Sequence, residues 1–211
     1  MASSKSKYQR YQLPKGHLSW SQVDLVERDP IEYARSYILG EPRYESEAMM
    51  FGKEFADAMK DGVPPPDAND RMKFLVSIGM PRLEMPEHPM KAEYHGIKLV
   101  GILDSCGHDY KTFREYKTGR SPWTQGRVNS HGQLSFYAAL IWLNHRIMPQ
   151  AYLDWVRTSI DENGDISPAG DIQTFVREPF NMLDILHILH RAEKAAETIT
   201  GLVKEYKSIQ K

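Results

Sequence analysis

The sequence of 211 residues has a single cysteine, Cys106, and no long apolar run. One cysteine excludes an internal disulfide and any zinc or iron–sulfur site built from four cysteines. Because no run of about 18 apolar residues occurs, no membrane-spanning helix is predicted. The first ten residues, MASSKSKYQR, lack the apolar stretch of a secretory signal. We therefore expect a cytoplasmic protein that makes no contact with a membrane.

The length and composition are typical of a single globular domain. Hydrophobic residues make up 41% of the chain and charged residues 26%, which permits a sizeable core. Residues 1–17 are predicted to form a flexible basic arm. Residues 18–211 are predicted to form one domain that ends in a hairpin and a long helix.

Hydrophobic periodicity predicts helices on either side of a β-rich middle segment. A helix that begins near residue 18 is broken at Asp29-Pro30 and resumes as far as Gly40. Further helices are predicted at residues 47–60, 127–144 and 181–211. Strands are predicted at residues 91–96, 97–105 and 112–118 as an antiparallel meander, and at 151–179 as a hairpin. The predicted fold class is mixed α/β, with a central sheet flanked by helices.

Three charged residues, Asp104, Glu115 and Lys117, lie inside the predicted meander. Charged residues are rare inside strands unless a partner compensates them. Glu115 and Lys117 project from the same face of their strand, about 7 Å apart along the chain, because side chains alternate. Asp104 ends the neighbouring strand. If the two strands pair, one carboxylate from each meets the other at a common edge.

Two carboxylates, a backbone carbonyl and several waters form a ligand set that suits Mg²⁺ or Mn²⁺, as one or two ions. Such a cation lowers the pKa of a bound water and offsets the charge of a phosphodiester during hydrolysis. A lysine beside it orients the water or stabilises charge that develops on the phosphate. The alternative is an ordinary salt bridge between Glu115 and Lys117 on an exposed strand, with Asp104 capping a turn.

Gln133 and Tyr137 are four residues apart on the helix that follows, so they share one helical face. A glutamine on an apolar helix must find a partner or face solvent. If the pair points at the edge with the carboxylates, it hydrogen-bonds the lysine, a phosphate or a base. The alternative places Tyr137 in the core and Gln133 at the surface.

Basic residues are concentrated between residues 111 and 127, where five of them occur with one acidic residue, Glu115. Such a stretch attracts phosphates, and Arg120 and Arg127 are the candidate substrate contacts outside the strands. The alternative is a solvated basic loop. The basic residues are Lys111, Arg114, Lys117, Arg120 and Arg127.

The order of these motifs resembles the PD-(D/E)XK nuclease superfamily, in particular its RecB-like and phage exonuclease branch. GILD, EYK and QLSFY correspond to the motif aspartate, the (D/E)-x-K pair and the Q-x-x-x-Y helix of that family. The resemblance covers most of residues 18–140. It implies a restriction-endonuclease-like core, Asp104, Glu115 and Lys117 as catalytic residues, and the Tyr116 backbone carbonyl as a further metal ligand.

Two positions depart from the family pattern. Ala56 stands four residues after Gly52, where many members of the branch have a histidine or glutamate as an additional metal ligand. Glu54 and Asp57 point elsewhere around the helix, and Glu93 on the preceding strand is a candidate replacement or a solvent-facing residue. Asp29 stands where iron–sulfur members have a cysteine, so we expect no iron–sulfur cluster.

The resemblance implies a Mg²⁺- or Mn²⁺-dependent deoxyribonuclease, expected to be an exonuclease of DNA recombination, repair or phage DNA processing. DNA is the expected partner, in a bacterium or a phage-infected host cell. A recombination or single-strand-binding protein and an oligomer are also compatible with the family. A catalytically inactive DNA- or partner-binding protein that retains the fold is the alternative, and Ala56 favours it.

Overall fold

A computed structural model describes residues 11–42, 44–77 and 80–209 of the chain. Within these ranges, helices precede, interrupt and follow a five-stranded sheet. None of the described helices is long and apolar enough to cross a lipid bilayer. The helices are α1 (Trp20–Arg28), α2 (Pro30–Tyr33, continued by a π-helical turn Ala34–Ile38), α3 (Glu47–Asp61), α4 (Asp70–Ser77), α5 (Gln125–Asn129), α6 (Gly132–His145) and α7 (Met182–Ile209).

The sheet has its strands in chain order, from β1 at one edge to β5 at the other. Neighbouring strands are antiparallel except for β3 and β4, which are parallel and joined by a crossover through α5 and α6. The predicted meander, hairpin and flanked central sheet are confirmed. The strands are β1 (Met85–Tyr94), β2 (Ile97–Cys106), β3 (Thr112–Gly119), β4 (Gln150–Ile160) and β5 (Ile166–Val176).

Two apolar cores hold helices against the sheet. The larger core joins β2, β3 and β4 to α1, α6 and α7. The smaller core packs Phe55 of α3 and Met72 of α4 on Val156 of β4. The sheet is therefore covered on both faces near β3 and β4, where charged side chains can be held away from water.

Local signals explain most of the element boundaries. Asp29 caps α2 by accepting a hydrogen bond from the Glu32 amide at 2.9 Å, and Pro30 occupies the first turn. Ser46 caps α3 in the same way, and Gly62 ends that helix with a φ of 72°. These boundaries agree with the predicted breaks at Asp29-Pro30 and near residue 60.

Two predicted elements differ from the structure, and one observed helix was not predicted. The helix predicted at residues 127–144 is divided into α5 and α6, because the chain is extended at His131. β1 begins at Met85, six residues before the predicted start, since Pro86 and Pro89 are tolerated on an edge strand. α4 has no counterpart among the predicted elements, although Asn69 caps it by accepting from the Met72 amide.

The predicted arm divides between residues 1–10, which lie outside the described ranges, and residues 11–17, which contact the body of the protein. The Tyr11 hydroxyl donates to Glu193 of α7 at 3.3 Å, and the Gln12 amide donates to Thr200 at 2.9 Å. Leu18 then pairs with Leu99 of β2 as a parallel bridge. The segment from residue 11 onward is thus fixed on α7 and β2.

Arg114, which belongs to the basic stretch, forms a buried ion pair in the fold. Its guanidinium donates to both carboxylate oxygens of Asp154, at 2.9 and 2.7 Å, and stacks over the Tyr152 ring. Asp154 is 0% exposed and also accepts from the Thr174 hydroxyl. The prediction that the whole stretch from Lys111 to Arg127 contacts phosphates is therefore wrong at Arg114.

We predict that Arg114→Met lowers the free energy of unfolding by about 3–5 kcal/mol, because Asp154 is left buried without a counter-charge. Lys111→Met is the matched control. Its ion pair with Asp109 is largely exposed, at 72% and 59%, and contributes about 0–1 kcal/mol. Urea unfolding of both variants checks the difference, and equal losses of stability would contradict it.

Candidate active site

The site lies where β2 and β3 separate. The two strands are paired at Ser105–Arg114 and Cys106–Phe113, next to the turn that joins them. Further back along β2, Leu18 takes the place of β3: its amide donates to Lys98 at 2.8 Å and its carbonyl accepts from Val100 at 2.9 Å. The change of partner opens a gap in the sheet beside Asp104.

Asp104 occupies the point where this gap begins. Its side chain accepts a hydrogen bond from the Tyr116 backbone amide at 2.7 Å. The carboxylate thus takes the place of the strand-to-strand hydrogen bond that the diverging backbones no longer make. It is held directly beside Glu115, as expected if each strand contributes one carboxylate.

Glu115 is buried, with 1% of its surface exposed. Its Oε1 atom accepts from the Lys117 ammonium, whereas Oε2 has no hydrogen-bond partner among the described residues. The simpler interpretation placed this ion pair on an exposed strand, and the burial of Glu115 contradicts that placement. A buried carboxylate oxygen without a partner is costly and calls for a ligand.

Gln133 and Tyr137 complete a chain of hydrogen bonds behind Lys117. Lys117 donates to the Gln133 side-chain oxygen at 2.9 Å, and the Gln133 amide nitrogen donates to the Tyr137 hydroxyl at 2.9 Å. Tyr137 is also a core residue, 6% exposed, as the alternative placed it. Gln133, which the alternative placed at the surface, is instead half-buried and bonded to Lys117. The network fixes the lysine next to the carboxylates.

The electrostatics of the gap reflect two crowded acidic groups. Burial, followed by the nearby Glu115 charge, raises the pKa of Asp104 to about 8. Burial likewise raises the pKa of Glu115. Burial opposes the charged form of Lys117, yet the Glu115 carboxylate raises the pKa of Lys117 above its ordinary value. One lysine therefore compensates only part of the negative charge.

These residues fit a divalent cation. A cation between Asp104 and Glu115 would give Oε2 of Glu115 a partner and offset the Glu115 charge that, after burial, raises the pKa of Asp104. Among the described residues, no group of three or more His, Cys, Asp or Glu side chains is placed to hold a metal. Mg²⁺ is commonly held by one or two carboxylates while it keeps several waters, so two are sufficient.

The two sequence positions considered for an additional ligand do not supply one. Gly52 of α3 lies beside Thr118 at the end of β3, and Ala56 follows one helical turn later. An alanine side chain has no atom that could bind a metal. Glu93 is in register with Lys98, six residues before Asp104 on β2 and about 20 Å away along the strand. The suggestion that Glu93 replaces the missing ligand is wrong.

A polar cavity of about 490 Å³ lies beside the lysine network. It brings together Lys117 and Gln133 with Arg127, whose guanidinium stacks 3.9 Å from the Trp123 ring. Arg120 is exposed and does not line this cavity. The structure therefore brings Arg127 to the candidate site, while a substrate contact by Arg120 stays a prediction.

Two further residues of the cavity have no motif that reveals them in the sequence. Arg191 reaches the cavity from α7, held by Glu27 at 3.0 Å, and lies over the Trp20 ring. His131 is largely buried, and its Nδ1 atom has no partner among the described residues. Burial, followed by the charges of Lys117 and Arg127, lowers the pKa of His131 to about 3, so the imidazole is neutral at pH 7.

Comparison with solved structures identifies proteins of similar fold. The crystal structure of a "Putative exonuclease" from Eubacterium rectale aligns with a TM-score of 0.59, at 12% identity, over 97% of this chain and 88% of the other. The two proteins share a fold. An alkaline exonuclease from Laribacter hongkongensis aligns with a TM-score of 0.46, at 12% identity, over 92% and 93% of the two chains. Neither a protein-family model nor a curated protein sequence matches the chain.

Gly132 controls how closely α1 approaches the site. A Cβ atom there would lie 2.0 Å from the Trp20 ring. We therefore predict that Gly132→Ala shifts α6, disturbs the neighbouring Gln133–Lys117 contact and lowers the free energy of unfolding by about 1–3 kcal/mol.

Gly201→Ala is the control for this substitution. Gly201 lies within α7, and a Cβ atom there has no neighbour within 4 Å. Alanine at that position should leave stability unchanged or raise it by about 0.5–1 kcal/mol. Thermal unfolding of the two variants measures the contrast, and a neutral Gly132→Ala would show that the contact with Trp20 does not restrain the helix.

Proposed function

We propose that this protein is a metal-dependent deoxyribonuclease that hydrolyses phosphodiester bonds, with Asp104, Glu115 and Lys117 as its catalytic residues. The observation that carries the proposal is the buried, partnerless Oε2 of Glu115, next to Asp104 and an ordered lysine. A cation site, a positioned ammonium and a basic cavity are what phosphodiester hydrolysis requires.

Asp104, Glu115 and the Tyr116 carbonyl would hold Mg²⁺ or Mn²⁺. The bound cation supplies a water of lowered pKa and offsets negative charge on the phosphate. Lys117 donates hydrogen bonds to the attacking water or to an oxygen on which charge develops. Gln133 and Tyr137 fix the direction of that ammonium, because each accepts a hydrogen bond from the group before it.

The cavity beside the centre supplies contacts for the DNA backbone. Arg127 and Arg191 bring guanidinium groups to it, alongside the Asp24 carboxylate and with Arg191 paired to Glu27, and the neutral His131 gives it a ring nitrogen. Phosphate oxygens are the ligands that such a set of groups prefers. The fold shared with the "Putative exonuclease" from Eubacterium rectale supports an exonuclease in particular. A role in DNA recombination, repair or phage DNA processing is proposed from the motif resemblance alone.

End-labelled linear DNA and closed circular DNA, each incubated with Mg²⁺, Mn²⁺ or EDTA, test this function. An exonuclease releases labelled nucleotides from the linear DNA with either metal and leaves the closed circle intact. Cleavage of the circle would indicate an endonuclease. Absence of cleavage with both metals would contradict a nuclease and favour a binding protein that retains the fold.

We predict that Mg²⁺ or Mn²⁺ stabilises the wild-type protein against heat, by about 2.7 kcal/mol at a concentration 100 times the dissociation constant. Asp104→Asn should abolish this stabilisation and DNA cleavage. It should not destabilise the metal-free protein, because the neutral amide removes repulsion with Glu115 and still accepts from the Tyr116 amide. Metal-dependent stabilisation that persists in this variant would exclude Asp104 as a ligand.

We predict that Lys117→Ala lowers kcat for cleavage by about 10²–10³-fold, because the ammonium acts mainly in the transition state. DNA binding and metal-dependent stabilisation should change far less. Lys117→Arg should not restore activity, since a planar guanidinium does not replace a compact ammonium. Lys111→Ala serves as the control, and full activity in Lys117→Ala would rule out the proposed mechanism.

A further inference from the structure

A groove of about 670 Å³ lies at the far end of β2 from the candidate active site. Three lysines from three separate segments line it: Lys15, Lys91 of β1 and Lys98 of β2. None of them forms an ion pair with another described residue. One carboxylate, Glu93, also lines the groove and lowers its net charge without cancelling it.

The position of Lys15 in this groove is fixed by backbone hydrogen bonds. The Gly16 amide donates to the Leu13 carbonyl at 2.9 Å, and Leu18 is bonded on both sides to β2. His17 follows the same path and also lines the groove. The segment predicted as a loose arm thus delivers a basic side chain to β2.

Lys91 and Lys98 project from the open face of the β1–β2 hairpin. Opposite residues of antiparallel strands share a face, so Lys91, paired with Val100, lies on the same side as Lys98. Gly101 packs against Leu140 and Tyr137, which places α6 on the other side. Ile102, on the lysine side, is 53% exposed, so this part of the face is open to solvent.

The simplest explanation for a lysine on β1 is protection of the sheet edge against pairing with another chain. That explanation applies to Lys91 alone. Lys98 belongs to an inner strand and Lys15 to a separate segment, so protection of the edge does not account for the convergence of all three. Like charges brought together without partners repel each other, unless an anion is bound between them.

We propose that this groove binds the phosphate backbone of DNA whose cleavage site lies at Asp104. This inference rests on the proposed nuclease function, because that function places the scissile phosphate at Asp104. Lys98 precedes Asp104 by six residues on the same strand, a distance of about 20 Å. With about 3.4 Å per base pair, the lysines contact DNA roughly six base pairs from the scissile phosphate.

The test compares Lys91→Ala/Lys98→Ala with and without Lys15→Ala, in EDTA, on a duplex of about 30 base pairs. We expect affinity about tenfold weaker at moderate salt. The slope of log affinity against log salt should fall by about two for the double variant and about three for the triple variant, one for each lysine. Lys73→Ala/Lys207→Ala, which removes two exposed lysines outside the groove, should leave the affinity and the slope unchanged.

Substrate length gives a second readout. Cleavage of a hairpin of about four base pairs, too short to reach the groove, should be as fast in the double variant as in the wild type. Cleavage of the longer duplex should show a raised KM with kcat unchanged. The inference would be overturned if the double variant bound the long duplex as tightly as the wild type. It would also be overturned if the substitutions weakened the binding of an acidic peptide but not the binding of DNA.

The proposed function and this inference fail in different ways. If the protein cleaves DNA and the lysine variants bind the long duplex as tightly as the wild type, the proposed function is supported and DNA binding by the groove is refuted. If the protein cleaves no DNA but the lysine variants bind it more weakly, with a smaller salt slope, DNA binding by the groove is supported and the proposed function is refuted.

Discussion

The candidate site depends on two acidic side chains that the protein buries side by side with a single ammonium to compensate them. Asp104 and Glu115 lie side by side where β2 and β3 separate, and one ammonium, that of Lys117, serves both. In an ordinary structural ion pair, as between Arg114 and Asp154, both carboxylate oxygens have donors. The contrast between the two acidic sites of one sheet supports the proposal that the first binds a cation.

Several features of the fold maintain this arrangement. Leu18 fills the place beside β2 that β3 leaves, so the gap opens without exposing a long unpaired edge. Trp20, two residues later, packs on Gly132 and sets the start of α6, which carries Gln133. The short segment from residue 18 to residue 20 therefore contacts both the gap between β2 and β3 and the start of α6, whose Gln133 orients Lys117.

Much of this could be predicted from sequence because local patterns determined it. Alternation placed Glu115 and Lys117 on one face of β3, and helical spacing placed Gln133 and Tyr137 together. The division between α5 and α6 was not predicted; the chain is extended at His131, and the contact of Gly132 with the Trp20 ring, distant in the sequence, leaves no local pattern. The buried ion pair of Arg114 could not be predicted either, because its partner Asp154 is 40 positions away in the sequence.

The residues of the cavity beside Lys117 and of the lysine groove were the hardest to predict from the sequence. Arg191 lies in a long amphipathic helix whose pattern indicates packing and gives no sign of a site. Lys15, Lys91 and Lys98 belong to three segments that converge only in the folded chain. A charge count along the sequence instead favoured residues 111–127, where one of the five basic residues supports the core.

The central claim is that Asp104 and Glu115 jointly hold a divalent cation. A crystal of the wild-type protein soaked in Mn²⁺ and measured for anomalous scattering tests it most directly. We predict an anomalous peak about 2 Å from carboxylate oxygens of both residues, absent from Asp104→Asn crystals treated in the same way. A peak that contacts neither carboxylate, or none at millimolar Mn²⁺, would contradict the account.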